Sequence, residues 1–172
     1  MSIRDAGFRW TIAGMVMLLL FDLLTKIWVR ETIPLHQISP LLPPLFDLTH
    51  VQNRGVSFSV FADLPDAVRI PLLVGVSVAA VVAMLYYQIR HWKRLDLYTR
   101  LGLAFIIPGA VGNLIDRVHQ GYVTDFIHFR WYDFSFFVNN VADCLISIGV
   151  VGFLITILRE RKAKRQELET EG

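Results

Sequence analysis

The chain has 172 residues, of which 54% belong to the hydrophobic class, and its formal net charge is only +2 at neutral pH. The length fits one domain, and so high a hydrophobic fraction is typical of a membrane protein. The single cysteine, Cys144, excludes an internal disulfide, and so small a net charge gives no indication of nucleic acid as a partner.

Four segments have the length that a membrane-spanning helix requires, roughly 20 predominantly apolar residues. We predict these spans at 8–29, 68–90, 97–117 and 136–158. No internal repeat, low-complexity run or linker interrupts the chain, so residues 1–172 are predicted to form a single membrane domain. Outside the spans lie two long loops and a C-terminal tail, at 30–67, 118–135 and 159–172.

The placement of Lys and Arg predicts the orientation in the membrane. With four spans, both termini share a side with the short loop at 91–96, and most of the 17 basic residues fall on that side. They are Arg4, Arg9, Arg90, Lys93, Arg94, Arg100, Arg159, Arg161, Lys162, Lys164 and Arg165. The positive-inside rule therefore places both termini in the cytoplasm and both long loops outside. The basic tail "RERKAKRQ" is interpreted as a topology anchor at the lipid headgroups.

The first span follows Arg4 and Arg9, as the apolar core of a secretory signal would. Its apolar run continues past Asp22 and Lys26, however, and no small-residue cleavage site follows, so we predict an uncleaved signal-anchor. Asp22 precedes Lys26 by four residues, which places both on one helix face toward the outer end. A helix-end salt bridge or interhelical contact remains an alternative explanation for this pair.

The first outer loop has two parts. The stretch "LFDLTHVQNRGVSFSVFA" alternates in places between apolar and polar residues after the Pro-rich "ISPLLPPL", which predicts a short strand or hairpin. Asn53, Arg54 and Gly55 are typical of a turn, since glycine permits positive φ or a close backbone approach. Phe58 and Phe61, three residues apart, favour a short helix lying in the outer interface.

Polar residues also occupy the outer ends of the last two spans. The third span carries Asn113, Asp116 and Arg117 there, and the fourth begins with a polar group made of Asn139, Asn140, Asp143 and Ser147. At 100° per residue the latter four fall within an arc of about 100°, and Asp143 is predicted roughly 10 Å below the outer helix end. Interhelical hydrogen bonds, at about 0.6 kcal/mol each, would explain any one of these groups. They do not explain why three spans bring polar groups to one depth.

Asp125 lies in an apolar stretch of the second outer loop, "HQGYVTDFIHF". This setting indicates a loop that lies on or dips into the membrane interface, at a depth similar to that of Asp143. Two acids brought close in a low-dielectric site share one proton. One can then act as a base on water while the other protonates or polarises a carbonyl, which is the chemistry of an aspartic protease.

Two other chemistries would use neighbouring residues. His119 and His128 flank Asp125, so a metal site is conceivable, although their spacing matches no established metal pattern. Cys144 has no base on its own helix face, which disfavours a cysteine nucleophile. The sequence "VADC" around it is not a lipidation box, since it lies in the last span rather than behind an N-terminal signal. Our prediction is therefore an enzyme without a metal or cofactor.

Five short motifs, taken in order, resemble those of the bacterial lipoprotein signal peptidases, also called signal peptidase II, an integral-membrane aspartic protease family. They are "DLLTK" at 22–26, "NRGVSFS" at 53–59, "GNLIDR" at 112–117, "VTDF" at 123–126 and "NVAD" at 140–143. Each motif alone would be weak, but five in this order, with four spans of matching topology, are hard to obtain by chance. The resemblance covers most of the chain.

The resemblance implies that Asp125 and Asp143 are the catalytic dyad and that no metal is used. It implies a second group of residues that line the site, hold the lipopeptide or support the dyad: Asn53, Gly55, Asn113, Arg117 and Asn140, with Asp22, Lys26 and Asp116. The fold expected from the resemblance is an all-α membrane protein of four transmembrane helices, with a small extracytoplasmic β-sheet and a short interfacial helix.

The family removes the signal peptide of diacylglyceryl-modified prolipoproteins, cleaving on the amino side of the lipidated cysteine. The resemblance therefore implies lipidated prolipoproteins and membrane lipids as partners of a monomer. It also implies a location in the bacterial inner membrane, with the site near the periplasmic leaflet. The chain departs from the family at Asn139, where Phe is frequent, and at Arg54, where a small residue is common. Both could alter how the substrate is held, and Arg54 could interact with a lipid phosphate.

Two further classes of function use intramembrane polar residues. A proton or ion pathway would need polar residues through the full membrane depth, whereas the inner halves of the second and fourth spans are nearly all apolar. A structural scaffold would use the polar residues only for packing. It predicts that Asp125→Asn or Asp143→Asn leaves activity and growth unchanged.

Overall fold

The computed structural model of the protein describes residues 3–55 and 64–171, which form four long helices and one small antiparallel sheet. The elements in chain order are α1 (Ile3–Thr32), β1 (Ser39–Leu42), β2 (Phe46–Asn53), α2 (Asp66–His91), α3 (Leu97–Gln120), β3 (Val123–Trp131), β4 (Phe134–Asn139) and α4 (Val141–Glu171). The predicted fold class of a mainly helical membrane protein with a small sheet is confirmed. The interfacial helix predicted around Phe58 and Phe61 lies outside the described residues.

Within residues 3–55 and 64–171, four helices are long and apolar enough to cross a membrane, as the sequence predicts. Their candidate spans are Ala6–Thr32, Asp66–His91, Leu97–Gln120 and Val141–Glu169. The central helix is α3, which packs against the other three and is the most buried of the four. A helix at this position has neighbours on most of its faces, so it can carry polar residues that lipid never contacts.

The sheet lies at one end of the helix bundle. Its strands are ordered β1-β2-β3-β4, and Val51 of β2 lies opposite Asp125 of β3 in the central pair. The strand predicted in the first outer loop is confirmed as β2, which follows the Pro-rich stretch. Its antiparallel partner β1 lies within that Pro-rich stretch, where no strand was predicted. We call this end of the bundle, where α1 and α3 end and α2 and α4 begin, the sheet end. The opposite end, which holds the turn between α2 and α3 and the C-terminal extension of α4, is the tail end.

The chain enters β3 through a glycine at the end of α3. Gly121 adopts φ 75° and its N–H donates to the carbonyl oxygen of Arg117 at 3.0 Å. Glycine is favoured in this left-handed conformation because it has no Cβ, and the reversal stops the helix. The predicted second outer loop therefore contains β3, and Asp125 lies on a strand rather than in a loop.

The predicted start of the fourth span at residue 136 is wrong. Phe134–Asn139 form β4, and α4 begins only at Val141. Asn140 separates the two elements, since its side-chain Oδ1 accepts the N–H of Asp143 at 3.0 Å and so caps the helix. The apolar run before Asn140 fits a strand as well as a helix, so hydropathy alone could not place the boundary. The helix also continues through the predicted tail to Glu171.

Candidate active site

The carboxyl groups of Asp125 and Asp143 line one cavity of about 960 Å³ at the sheet end. Asp125 comes from the middle of β3, and Asp143 comes from the first turn of α4. Asp143 is the third residue of its helix, so it lies only about 3 Å along the helix axis at 1.5 Å per residue. The predicted depth of roughly 10 Å is therefore wrong, because it counted residues of β4 as helix.

Asp125 is held by two amide side chains from the neighbouring elements. Nδ2 of Asn53 donates to its Oδ2 at 2.8 Å, and Nδ2 of Asn140 donates to its Oδ1 at 2.6 Å. Asn53 ends β2, and its own Oδ1 accepts the N–H of Gly55 at 3.0 Å. This local bond fixes which way the amide faces, so the sequence Asn-Arg-Gly here orients a donor toward the carboxyl group.

Asp143 is connected to the same arrangement through two asparagines. Nδ2 of Asn113, on α3, donates to Oδ1 of Asp143 at 2.8 Å. Asn140 links the two acids, because it accepts the N–H of Asp143 while it donates to Asp125. Asn113 and Asn140 are 6% and 0% exposed, so bulk water does not compete for these bonds.

A cluster of buried ions lies directly behind Asn113. Nζ of Lys26 donates to Oδ1 of Asn113 at 2.8 Å, and it lies 2.8 Å from Oδ2 of Asp22 and 3.8 Å from Oδ2 of Asp116. Asp22 also accepts the N–H of Ala142 at 2.8 Å, at the amino-terminal end of α4 where the helix dipole favours a negative charge. The salt bridge considered as an alternative explanation for Asp22 and Lys26 is thus present within α1, and further bonds of its two members reach α3 and α4.

Gly112 provides the space that this cluster occupies. A Cβ at that position would overlap Oδ2 of Asp22, far inside van der Waals contact. We expect Gly112→Ala to displace the Asp22 carboxylate from Lys26 and to destabilise the protein by about 1–3 kcal/mol. The midpoint of thermal unfolding in detergent measures the effect.

The matched control for this substitution is Gly75→Ala in α2, where a Cβ would meet nothing within 4 Å. Alanine is the better helix former, so this control is expected to leave the midpoint unchanged or slightly higher. Equal midpoints for the Gly112→Ala protein and wild type would contradict the role given to Gly112.

Arg117 is a cation that lines the same cavity as the two acids. Its Nη2 donates to the carbonyl oxygen of Gly55 at 3.2 Å, and its guanidinium interacts electrostatically with Asp143 and Asp125. Arg54, the neighbour of Gly55, also lines the cavity. The turn at the end of β2 and the outer end of α3 therefore bring two cations to the cavity that holds the acids.

Burial raises the pKa of Asp125, and the Asp143 carboxylate raises it further, to about 7, although hydrogen bonds from Asn53 and Asn140 act in the opposite direction. A folded-state pKa above the ordinary carboxyl value means that the native protein holds this proton more tightly than the unfolded chain does. The associated stability is fully present below about pH 4 and is lost as the pH rises through about 7.

This pKa predicts a pH-dependent difference between wild type and Asp125→Asn. The thermal midpoint of wild type should fall more steeply than that of the variant between about pH 5 and 8, because only wild type must ionise a buried carboxyl group. Asp133→Asn is the control, since Asp133 is exposed in the β3–β4 turn and its replacement should retain the wild-type slope. Parallel curves for wild type and Asp125→Asn would contradict the raised pKa.

His128 points away from Asp125, on the other face of β3. Its Nε2 lies 2.8 Å from Oγ of Ser135, and its Nδ1 lies 3.4 Å from Oδ2 of Asp47. Within the described part of the chain, no group of three or more His, Cys, Asp or Glu residues is arranged to hold a metal ion. Side chains alternate between the two faces of a strand, so Asp125 and His128 lie on opposite faces of β3. The sequence analysis treated this segment as a loop and therefore could not predict that separation.

Sequence analysis missed Arg30 and Thr124, which complete the buried cluster. Nη1 of Arg30 donates to Oδ1 of Asp116 at 3.2 Å and to Oγ1 of Thr124 at 3.1 Å, while Thr124 N–H donates to Oδ2 of Asp116 at 2.9 Å. The available signal was periodicity, since Arg30 follows Lys26 by four residues and continues its helix face. The apolar residues that line the cavity, such as Val76, could not be identified from the sequence because every span is apolar.

Comparisons with known proteins show which families and structures this chain is similar to. A family model described as signal peptidase (SPase) II matches residues 14–159. Relatives named lipoprotein signal peptidase from Streptococcus pyogenes serotypes M1 and M6 are 34% and 32% identical over 152 residues, which is 88% of this chain and 95% of each relative.

Two solved structures, both described as bacterial membrane enzymes determined by the in meso method, have the same fold. The first has a TM-score of 0.78 and 26% identity, and the match covers 90% of each chain. The second has a TM-score of 0.76 and 27% identity, and the match covers 86% of this chain and 92% of the other.

Proposed function

The chain belongs to the signal peptidase II family, the proteases that cleave signal peptides from prolipoproteins, and we propose that Asp125 and Asp143 are its catalytic pair. One observation carries the proposal. The two carboxyl groups line the same cavity, and amide side chains that are themselves buried or fixed by local bonds hold each of them. Preorganised donors of this kind hold catalytic groups in place without reorganisation during the reaction.

The pair hydrolyses the peptide bond with one shared proton. Asp143 takes a proton from a water molecule, whose oxygen attacks the scissile carbonyl carbon, while Asp125 gives its proton to the carbonyl oxygen. A pKa of about 7 lets Asp125 hold that proton near neutral pH. As the tetrahedral intermediate collapses and the C–N bond breaks, Asp143 gives the proton it took from water to the departing amine. Asp125 takes its proton back from the hydroxyl group that becomes the new carbonyl. The signal peptide leaves with the new carboxyl group.

The substrate proposed for this site is a prolipoprotein whose cysteine carries a diacylglyceryl group, cut on the amino side of that cysteine. The cavity supports this choice because it combines the two acids with apolar residues of the membrane helices, among them Val76 and Ala80 of α2 and Ile146 of α4. Arg54 and Asn139, the two departures from the family pattern, both line the cavity. They are therefore placed to change how the lipid or the peptide is held.

The orientation proposed for the protein places the sheet end at the periplasmic leaflet of the bacterial inner membrane. The excess of Lys and Arg at the tail end supports this, because the positive-inside rule keeps such segments in the cytoplasm. A lipidated cysteine keeps its acyl chains in the outer leaflet, which holds the scissile bond near the headgroups and so near the dyad. We propose that the protein acts as a monomer, with membrane lipids around it.

A gel-shift assay in detergent tests the proposal with the full-length protein. The substrates are a purified diacylglyceryl-prolipoprotein and the same precursor with serine in place of the lipidated cysteine. We expect cleavage of the lipidated precursor only, at a rate that a chelator does not change. Cleavage of both precursors would overturn the substrate proposal, and loss of activity with chelator would overturn the metal-free mechanism. Failure to cleave either precursor would overturn the proposed function.

Asn140 offers a smaller test within the same assay. Asn140→Ala removes both the cap of α4 and the donor to Asp125, so the cleavage rate should fall by about 10-fold or more. Asn140→Asp keeps the helix cap but replaces the donor with an acceptor. If the two variants cleave equally slowly while only Asn140→Ala is less stable, the lost donor explains the rate. A normal rate for Asn140→Asp would contradict that role.

A further inference from the structure

A second cavity, of about 760 Å³, lies at the tail end between α1 and the last turn of α2. We propose that it binds the headgroup of an anionic phospholipid. Four cationic side chains line it, and none of the described residues that line it is acidic. They are Arg9 on α1 and Arg90, Lys93 and Arg94 at the end of α2 and in the turn that follows.

Asp96, the acid nearest in sequence to Arg90, Lys93 and Arg94, makes its side-chain hydrogen bonds outside the pocket. Asp96 caps α3, where its side chain accepts the N–H groups of Tyr98 and Thr99 and the hydroxyl of Thr156. Its partners therefore belong to α3 and α4 rather than to the pocket. Arg90, Lys93 and Arg94 are all exposed, so a ligand phosphate can reach them. The carbonyl end of the α2 dipole disfavours an anion, so these side chains must supply the affinity.

Aromatic residues give the pocket a rigid floor at the depth of a membrane interface. Trp92 is 9% exposed, packs edge-to-face against Phe8 with ring centroids 5.0 Å apart, and lies under the guanidinium of Arg100 at 4.7 Å. Tyr86 and Ile89 also line the pocket and are 66% and 63% exposed, which leaves an apolar surface on its membrane side. Tyr and Trp are enriched at the level of the headgroups.

These features together fit a phospholipid rather than a soluble anion. A phosphate would lie among the cations, while the acyl chains would continue along the exposed apolar side chains of α2. Basic pockets between membrane helices on the cytoplasmic side have this chemistry. Assignment of the pocket to the cytoplasmic leaflet rests on the orientation proposed above, but binding of the headgroup does not depend on the protease activity.

The test compares lipids retained by the purified full-length protein, measured by native mass spectrometry after exchange into detergent with equal amounts of phosphatidylglycerol and phosphatidylcholine. We expect wild type to retain phosphatidylglycerol at least about 10-fold in excess, equivalent to about 1.4 kcal/mol. The variant Arg90→Gln/Lys93→Gln/Arg94→Gln should lose that preference. The single variant Arg94→Gln, a smaller perturbation, should lower it several-fold.

The matched control removes the same number of charges outside the pocket, as Arg161→Gln/Lys162→Gln/Lys164→Gln in the exposed extension of α4. It should keep the wild-type preference, and both triple variants should still cleave lipidated precursor. Equal losses in the two triple variants would overturn the proposal in favour of diffuse charge attraction. Displacement of the lipid by millimolar glycerol phosphate would show a site for soluble phosphates and would also overturn it. The proposal would likewise be overturned if wild type retained phosphatidylglycerol and phosphatidylcholine equally.

Discussion

Replacing Asp143 or Asp125 with asparagine is expected to lower the cleavage rate of a diacylglyceryl-prolipoprotein by at least about 10³-fold. Asparagine has nearly the same shape as aspartate but cannot take or give the proton that hydrolysis requires, and a positioned acid–base group contributes about 10²–10⁴-fold. Single-turnover assays with excess enzyme measure the chemical step directly. Because the two groups act as a unit, the double variant should be hardly slower than either single variant.

The two substitutions differ in their structural cost. Asp143 accepts the amide of Asn113 on Oδ1, and an asparagine at this position can offer its own oxygen in the same place. Asp125 accepts amide donors on both of its oxygens, from Asn53 and Asn140, so an asparagine there must turn its NH₂ group toward one of them. Asp143→Asn is therefore the cleaner test of chemistry. Asp125→Asn also removes a hydrogen bond inside the site.

The control for both variants is Asp133→Asn, since Asp133 is exposed in the turn between β3 and β4. It should cleave at the wild-type rate. If a folded Asp143→Asn protein kept more than a tenth of wild-type activity, Asp143 would not be the base, and the scaffold hypothesis would regain support for that residue. Circular dichroism and the midpoint of thermal unfolding establish that each variant is folded.

The sequence predicts those parts of the fold that depend on local composition. Four apolar segments of sufficient length can satisfy their backbone groups in lipid only as helices or a closed barrel, so their number follows from length alone. The start of α4 was placed wrongly because the preceding apolar residues suit a strand or a helix, and pairing of β4 with β3 decides between them. That pairing joins two neighbouring strands across a short turn, and the hydropathy of either segment alone does not reveal it.

In the candidate site, too, local composition predicts some features, whereas contacts between separate segments decide the others. Asp125 and Asp143 could be identified from the sequence because an acid among apolar residues costs free energy on insertion into the membrane and therefore usually marks a functional site. The amides that hold them, Asn53, Asn113 and Asn140, were expected only from the family resemblance, because contacts that join separate helices and the sheet leave no local pattern in the sequence. Arg30 shows most clearly what the sequence alone cannot reveal. Its guanidinium donates hydrogen bonds to Asp116 and to Thr124, which lie 86 and 94 residues away in the chain.

Replacing Lys26 with methionine is expected to have the second large effect, although Lys26 does not line the cavity. Nζ of Lys26 donates to Oδ1 of Asn113, so the oxygen of that amide must face α1 and its Nδ2 must face Asp143. Without the cation the amide is free to turn over and present its oxygen to the carboxylate. We expect kcat to fall by up to about 10²-fold, with little change in KM, because a dyad displaced by about 1 Å can cost that much.

Lys26→Met also leaves a buried charge without its partner. Asp22 and Lys26 are both 0% exposed, and removal of one member of a buried pair typically costs about 3–5 kcal/mol. A lower rate alone would therefore not separate a positioning role from a general loss of structure. The double variant Asp22→Asn/Lys26→Met separates them, because it removes both charges and keeps an oxygen that can accept the N–H of Ala142.

We expect the double variant to recover much of the thermal midpoint while its kcat remains low. Charge balance is then restored, but no donor faces Oδ1 of Asn113, so the amide that should hold Asp143 stays unfixed. Recovery of both the midpoint and kcat would contradict this, and would reduce Lys26 to the counterion of Asp22. Recovery of stability without rate would mean that a lysine on α1 acts on Asp143 only through the orientation of one amide on α3.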